Sequence, residues 1–148
     1  AHDDLMSVIG ALQISGPGDV LVVAGGELEG AVSGELFGTE AYRRGLAAVV
    51  IDGYSRDTAA LRALGLPFFS RGHTPKAPVA MRVPEIQVPV SIGGVVVRPG
   101  DLVVGDDDCV YMRTIGGRER VDVICHRRHP TKPRKYGWDS FWEPAAAW

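Results

Sequence analysis

The 148-residue sequence has few cysteines, no long hydrophobic run and almost no net charge. Cys109 and Cys125 are too few for a disulfide framework, which favours a cytoplasmic location. No apolar run approaches the roughly 18 residues that a transmembrane helix needs, and no signal peptide is recognisable. The net charge of −2 gives no overall attraction to nucleic acid. Membrane proteins, disulfide-rich secreted domains and basic nucleic-acid-binding domains are therefore disfavoured.

Signatures of nucleotide binding are missing as well. Glycines stand at positions 25, 26, 30 and 34, but no Gly-Lys-Ser/Thr follows them, as a Walker A loop requires. Their spacing does not match the dinucleotide-binding fingerprint either. We therefore do not expect a nucleotide site in the first half of the chain.

What the sequence does contain is a regular alternation of helix and strand patterns. Hydrophobic residues make up 45% of the chain, as expected of one globular domain. Helical spacing begins after Asp3-Asp4, and buried strands are predicted at 20–26, 46–52 and 67–72. Between them, helices are predicted at 35–44 and from Arg56-Asp57 to Gly65. The first of these two should bury Leu36, Phe37 and Ala41, and the second Ala60, Leu61 and Leu64.

The sequence changes character after His73. Prolines at 75, 78, 84 and 89 rule out a long helix, and residues 88–112 consist of β-rich runs separated by turn residues. A β/α alternation followed by a strand-rich block predicts an α/β fold in which a mixed sheet is extended by antiparallel strands.

The Arg56-Asp57 pair has two interpretations. An aspartate at a helix start commonly caps free backbone N–H groups, and a flanking arginine is commonly solvated. Strand-to-helix junctions at the carboxyl ends of strands are also where open α/β sheets bind ligands. There, an aspartate suits Mg²⁺, and a guanidinium suits a developing negative charge. Taken alone, the pair favours the cap.

A second strand-to-helix junction is found at VSGELFG, residues 32–38. Gly34 and Glu35 begin a helix whose first N–H groups, around Leu36 and Phe37, lack helical partners. Such an end can receive a carboxylate or a phosphate. Because a glutamate is common at helix starts, Glu35 alone is weak evidence of a site.

Three other clusters have simpler interpretations. Asp106–Asp108 lie between short strands, which is typical of a solvated turn rather than a metal cluster. CHRRH at 125–129 offers a thiolate and two imidazoles, but Cys109 adds only one further ligand for a structural zinc. His73 is predicted to lie in a loop that borders a site or is simply exposed. The tail is basic and contains Trp138, Phe141, Trp142 and Trp148, which favours a subunit contact or a plain tail over single-stranded nucleic acid.

Three segments together closely resemble the RraA-like family. They are GDVLVVAGG at 18–26, GELFGTEAYRRGLAAVVIDGYSRDTAALRALGLPFFSRGHTP at 34–75, and VPVSIGGVVVRPGDLVVGDDD at 88–108. The family joins the regulator of ribonuclease activity A to the class II 4-hydroxy-4-methyl-2-oxoglutarate aldolases, which also decarboxylate oxaloacetate. The resemblance implies a layered α/β/β domain over residues 1–115, assembled as a homotrimer with active sites between subunits. Residues 116–148 form a basic and aromatic extension outside it.

The catalytic members of this family carry an acidic residue, twenty intervening residues and then Arg-Asp. Glu35, Arg56 and Asp57 match that spacing, although the first position is more often aspartate. Because the ribonuclease-regulator branch tends to lose the aspartate of the pair, Asp57 favours an enzyme. Two features depart from the family pattern. The usual upstream segment before Asp3-Asp4 is absent from the sequence, and a basic, aromatic tail replaces the usual helical C-terminus.

The resemblance also implies roles for individual residues. Mg²⁺ or Mn²⁺ would be bound directly by Asp57 and through water by Glu35. A 2-keto acid would chelate the ion, and its carboxylate would lie at Gly34 and the amides of Leu36 and Phe37. Arg56 would stabilise the metal-bound pyruvate enolate as the C–C bond breaks. The expected function is thus a metal-dependent lyase, an aldolase or oxaloacetate decarboxylase. The alternatives are a non-catalytic regulator that binds a ribonuclease or another protein, and a related enzyme with a different substrate.

Overall fold

The computed structural model describes residues 5–25, 29–78, 85–106, 109–113 and 121–125. Three helices, α1 to α3, and nine strands, β1 to β9, lie within these ranges. In chain order they are α1 Leu5–Ile14, β1 Val20–Val23, β2 Ala31–Ser33, α2 Glu35–Arg43, β3 Ala48–Ser55, α3 Thr58–Leu64, β4 Phe68–His73, β5 Val90–Ile92, β6 Val95–Val97, β7 Leu102–Gly105, β8 Cys109–Arg113 and β9 Val121–Cys125. No helix in the described part is long and apolar enough to span a bilayer.

A parallel sheet of four strands is centred on β3. Strand β1 pairs with the first half of β3, and β2 pairs with its last two residues. Strand β4 pairs with β3 from Val49 to Ser55, so it occupies the other edge. Strands β1 and β2 therefore follow one another along the same edge of β3. All these pairings are parallel, so β2, β3 and β4 end on the same side of the sheet.

The second half of the chain forms antiparallel sheets. Strands β5 and β6 make a hairpin, and β7, β8 and β9 form a three-stranded sheet. Its register places Cys109 opposite Cys125. The α/β fold with a strand-rich second block is confirmed, although the antiparallel strands of the described residues form sheets of their own and do not extend the parallel sheet.

The two faces of the parallel sheet bury different cores because successive side chains of a strand point to opposite faces. Leu21 and Val23 of β1 pack in a core with α1 and α2, whereas Val20 and Val22 pack against β5, β6 and β8. Helices thus cover one face and antiparallel strands the other. This is the layered α/β/β arrangement that the resemblance implied.

Helices α2 and α3 end at the glycines that the sequence predicted. Gly45 and Gly65 have φ of 75° and 76°, a left-handed conformation that glycine adopts without steric cost. Leu61 is buried as expected, and Gly38 allows it to approach, since a β-carbon there would overlap its side chain. The expected burial of Leu36 is wrong, because its side chain is 87% exposed. At about 100° per residue, Leu36 lies about 140° around the helix from the buried Ala41.

Strand β3 is longer than its apolar run. It continues through Gly53 to Ser55, three residues beyond the strand predicted at 46–52. Gly25 packs directly against this extension of β3. Its N–H donates to the Asp52 carbonyl at 3.1 Å, and a β-carbon on Gly25 would lie only 2.9 Å from the Gly53 Cα, so the close approach requires glycine. Arg56 and Asp57 are thereby placed beyond the end of the longest strand.

Candidate active site

The candidate site lies where three parallel strands end. Ser33 of β2 pairs with Ser55 of β3, and Ser55 pairs with His73 of β4. The residues that follow each strand are therefore neighbours: Gly34-Glu35, Arg56-Asp57 and Thr74. Carboxyl ends of parallel strands are the usual ligand-binding edge of an open α/β sheet.

Asp57 does not cap its own helix. It occupies the N-cap position of α3, but its side chain makes no hydrogen bond to that helix. The Oδ2 atom instead accepts the backbone N–H of Glu35, the first residue of α2, at 3.0 Å. The interpretation of Asp57 as a cap of the helix it begins is wrong, because its carboxylate satisfies the neighbouring helix.

The backbone of Asp57 is left-handed, with φ 57° and ψ 38°. Non-glycine residues occupy this region at a cost of about 1–2 kcal/mol, although aspartate and asparagine tolerate it best. This conformation turns the Asp57 carboxylate back across the junction toward α2, where the hydrogen bond to the Glu35 amide offsets part of the cost. Residues held in such conformations cluster at functional sites.

Gly34 is required by the position of that carboxylate. A β-carbon at Gly34 would overlap Asp57 Oδ2 and lie 2.9 Å from the Cγ atom of Arg56. The φ of Gly34 is −162°, which any residue adopts, so space rather than backbone freedom demands glycine. The predicted binding residue is thus in direct proximity to the predicted catalytic pair.

Arg56 is anchored through its backbone, whereas its side chain is about half exposed. Its N–H donates to the Ser33 carbonyl at 3.0 Å, which ties the β3–α3 junction to β2. The Nε atom lies 3.6 Å from Asp57 Oδ2, and 47% of the side chain is exposed. The guanidinium therefore retains donors for a bound anion.

The N-terminus of α2 provides further donors. Asp57 takes the Glu35 amide, and Gly38 donates to the Gly34 carbonyl at 2.9 Å. Within the described residues, the amides of Leu36 and Phe37 make no hydrogen bond. Phe37 packs partly against the core, which fixes the helix, while the Glu35 side chain is exposed beside the site.

A groove of about 450 Å³ opens beside the pair. Its lining residues are Arg56, Asp57, Thr58, His73, Thr74 and Pro75. The sequence had not assigned Thr58, Thr74 and Pro75 to the site. The signal for Thr74 and Pro75 was the strand pattern at 67–72, because residues that follow a parallel strand adjoin the junctions of its neighbours.

The segment after β4 crosses to the opposite edge of β3. Thr74 donates its N–H to the Ser55 carbonyl at 2.9 Å, and the Lys76 carbonyl accepts the Ala31 N–H at 2.9 Å. The Lys76 ammonium pairs with Glu29 at 2.7 Å, and this hydrogen bond lowers the pKa of the Glu29 carboxyl. The crossing forms the wall of the groove.

The donors fit a divalent cation of the magnesium type. Asp57 Oδ2 is engaged by Glu35, but Oδ1 makes no hydrogen bond in the described part of the chain, and 42% of the side chain is exposed. No cluster of three or more His, Cys, Asp or Glu that would hold a metal occurs among the described residues. One carboxylate with water and ligand oxygens suits Mg²⁺, which keeps several waters and needs few protein ligands.

Most residues of the other candidate clusters lie outside the part of the chain that the structure describes. Asp106 follows β7 and is exposed, whereas Asp107 and Asp108 lie outside the described residues. The same holds for residues 126–129 of CHRRH and for the aromatic tail. His73, predicted in a loop, is the last residue of β4 and lines the groove.

Comparison with known proteins identifies the family. The family model described as RraA-like, Aldolase/RraA, matches residues 1–112. The chain belongs to the RraA-like family. A Halalkalibacterium halodurans protein provisionally named 4-hydroxy-4-methyl-2-oxoglutarate aldolase is 41% identical over 122 residues, which cover 82% of this chain and 58% of that protein.

Two solved structures support the same fold. The RNA-processing inhibitor RraA from Thermus thermophilis has a TM-score of 0.68 at 32% identity, covering 78% of this chain and 73% of its own. RraAS2 of Streptomyces coelicolor, described as an unusual member of the RNase ES inhibitor RraA protein family, has a TM-score of 0.61 at 37% identity, covering 72% and 56%. RraA-like members thus include proteins named as aldolases and proteins named as inhibitors. The chain spans less than two thirds of the Halalkalibacterium relative's length.

Proposed function

We propose that the protein is a divalent-metal-dependent lyase that cleaves a C–C bond of a 2-keto acid and releases pyruvate. The reaction is that of a 4-hydroxy-4-methyl-2-oxoglutarate aldolase, of an oxaloacetate decarboxylase, or of both. One observation carries the proposal: Asp57 adopts a left-handed conformation that aims its carboxylate across two junctions, with Arg56 beside it. A cap of α3, the helix that Asp57 precedes, would need neither this conformation nor the arginine.

The anionic end of the substrate is bound by the helix start. The amides of Leu36 and Phe37, which have no partner among the described residues, and the positive end of the α2 dipole attract a carboxylate. Gly34 leaves the approach open because it has no side chain. This contact fixes which end of the 2-keto acid faces Arg56.

Arg56 stabilises the charge that develops when the bond breaks. As the electron pair of the broken bond moves onto the substrate, negative charge accumulates on the keto oxygen of the resulting pyruvate enolate. The Arg56 guanidinium lies beside the groove and can meet this charge, and the backbone bond to Ser33 fixes the point from which the side chain extends. Removing such a donor typically costs about 100- to 1,000-fold in rate.

Asp57 would hold the cation directly and Glu35 would hold it through water. When bound, Mg²⁺ or Mn²⁺ supplies Lewis-acid polarisation of the substrate oxygens. The hydrogen bond from the Glu35 amide to Asp57 Oδ2 orients the carboxylate in advance. We further propose a homotrimer with the groove near a subunit boundary, because the groove is open and residues from a neighbour would close it.

The test is pyruvate release from oxaloacetate and from 4-hydroxy-4-methyl-2-oxoglutarate, followed with lactate dehydrogenase, in Mg²⁺ or in a chelator. We expect metal-dependent turnover that Asp57→Ala and Arg56→Ala each abolish. Arg62→Ala on α3 is the matched control because it removes an exposed arginine that does not line the groove. Turnover that survives both site substitutions would refute the assignment.

A second function, a non-catalytic regulator that binds a ribonuclease, is favoured by one observation. The solved relatives include proteins named as inhibitors of RNA processing. Its test is inhibition of a purified RNase E-type ribonuclease by the wild type and by Asp57→Ala. Inhibition by both proteins, with no turnover of either substrate, would favour the regulator over the lyase.

A further inference from the structure

Among the described residues that line the groove, His73 carries an acid–base group to which the proposed function assigns no role. It ends β4, in register with Ser55 of β3, and lines the groove together with Arg56 and Asp57 of the β3–α3 junction. Its side chain is exposed, and the next residue is fixed by the bond from Thr74 N–H to the Ser55 carbonyl. The imidazole is therefore anchored at its base and open to solvent.

The other charged groups in and near the groove already have a partner or an assigned role. Arg56 carries a guanidinium, the group assigned above to the developing negative charge. Asp57 Oδ2 is bonded to the Glu35 amide, and the Glu35 carboxylate adjoins the start of α2. Lys76 is paired with Glu29, and Arg71 with Asp52. Of the groups that line the groove, only an imidazole both gains and loses a proton readily near neutral pH.

We propose that His73 exchanges the proton at C3 of the pyruvate unit; this rests on the proposed lyase function. In oxaloacetate decarboxylation the C3–C4 bond breaks, carbon dioxide leaves, and the electron pair stays as the enolate. The His73 imidazolium gives its proton to C3, which becomes the methyl group of pyruvate. The neutral imidazole then regains a proton from water, to which it is exposed.

The reverse transfer gives a specific signature. If neutral His73 removes a proton from the methyl group of bound pyruvate, that group exchanges hydrogen for deuterium in D₂O without any bond cleavage. Breaking the C–C bond in oxaloacetate does not require His73, because carbon dioxide departs without proton transfer. Exchange and cleavage should therefore respond differently to loss of the imidazole.

The experiment follows the methyl signal of pyruvate by proton NMR in D₂O with Mg²⁺, beside loss of oxaloacetate in a separate assay. General acid–base groups typically contribute 100- to 10,000-fold, so His73→Asn should slow exchange by about 100-fold or more. Loss of oxaloacetate should fall much less. Added imidazole should restore part of the exchange, and the pH dependence of exchange should flatten in the variant. His73→Gln provides a second variant, and Arg62→Gln should behave as wild type.

Each result has a defined meaning. Exchange near the wild-type rate in both His73 variants would overturn this inference while leaving the lyase intact. Equal loss of exchange and cleavage, with no rescue by imidazole, would indicate a structural role and would also overturn it. If the wild-type protein neither exchanges the methyl hydrogens of pyruvate nor consumes either substrate, the proposed lyase function is refuted, and the role of His73 is refuted with it.

Discussion

Substitutions of Asp57 separate its conformational cost from its chemistry. Its left-handed backbone costs about 1 kcal/mol for a residue with a β-carbon and almost nothing for glycine. Its hydrogen bond with the Glu35 amide stabilises the fold by about 1 kcal/mol, since the side chain is 42% exposed. Three replacements of Asp57 therefore have different expected stabilities.

Asp57→Asn keeps an acceptor and tolerates the conformation, so its free energy of unfolding should stay within about 0.5 kcal/mol of wild type. Asp57→Gly loses the hydrogen bond but also removes the backbone strain, so its free energy of unfolding should again be close to that of the wild type. Asp57→Ala loses the bond and keeps the strain, so it should be less stable than Asp57→Gly by about 1 kcal/mol, or about 3 °C in Tm. All three should lack metal-dependent pyruvate release, because none carries a carboxylate.

Urea unfolding, thermal melting and the pyruvate assay on the same preparations measure these effects. Equal stabilities of Asp57→Ala and Asp57→Gly would refute the strained conformation. Full activity of Asp57→Asn would refute the role of the carboxylate. The combination of retained stability and lost activity in Asp57→Asn is the result that this reasoning requires.

Three further predictions concern neighbouring residues. Gly34→Ala should displace the Asp57 carboxylate, so pyruvate release should fall at least about 10-fold while circular dichroism still reports a folded protein; unchanged release would contradict the close contact. Ser33→Ala removes a buried hydroxyl that has no partner among the described residues, and should raise the unfolding free energy by up to about 1 kcal/mol in urea titration; a loss of stability would indicate an undetected partner. Hydrogen bonds from Arg43, then Arg44, lower the pKa of Glu40 from 4.5 to about 2. The stability that this contributes is complete above pH 4.5 and is lost as the pH falls toward 2, so the difference between wild type and Glu40→Gln should shrink over that window in acid titrations.

The elements with strong local signals were predictable from the sequence. The ends of α2 and α3 follow from Gly45 and Gly65, and the buried faces of β1 and β3 follow from continuous apolar runs. Short strands were harder to predict. Strand β2 has three residues and β9 lies in a basic segment without clear periodicity, and both form by pairing with distant strands.

The composition of the candidate site was predictable, but its geometry was not. Glu35, Arg56 and Asp57 were singled out by spacing within a family pattern, and the structure brings them together. That Asp57 bonds to the start of α2 instead of α3 depends on a left-handed residue and on the space at Gly34. His73 was uncertain because its nearness to Arg56 arises only from the pairing of β3 and β4.

Whether Asp57 holds a divalent cation can be measured by Mn²⁺ binding, followed by the loss of the free-ion signal in electron paramagnetic resonance. We expect saturable binding by the wild type, and oxalate, a stable analogue of the pyruvate enolate, should make it tighter. Asp57→Asn should lose this binding, whereas Arg56→Ala should keep the metal and lose the effect of oxalate. Binding of Mn²⁺ by Asp57→Asn with wild-type affinity would contradict the assignment of Asp57 as the metal ligand.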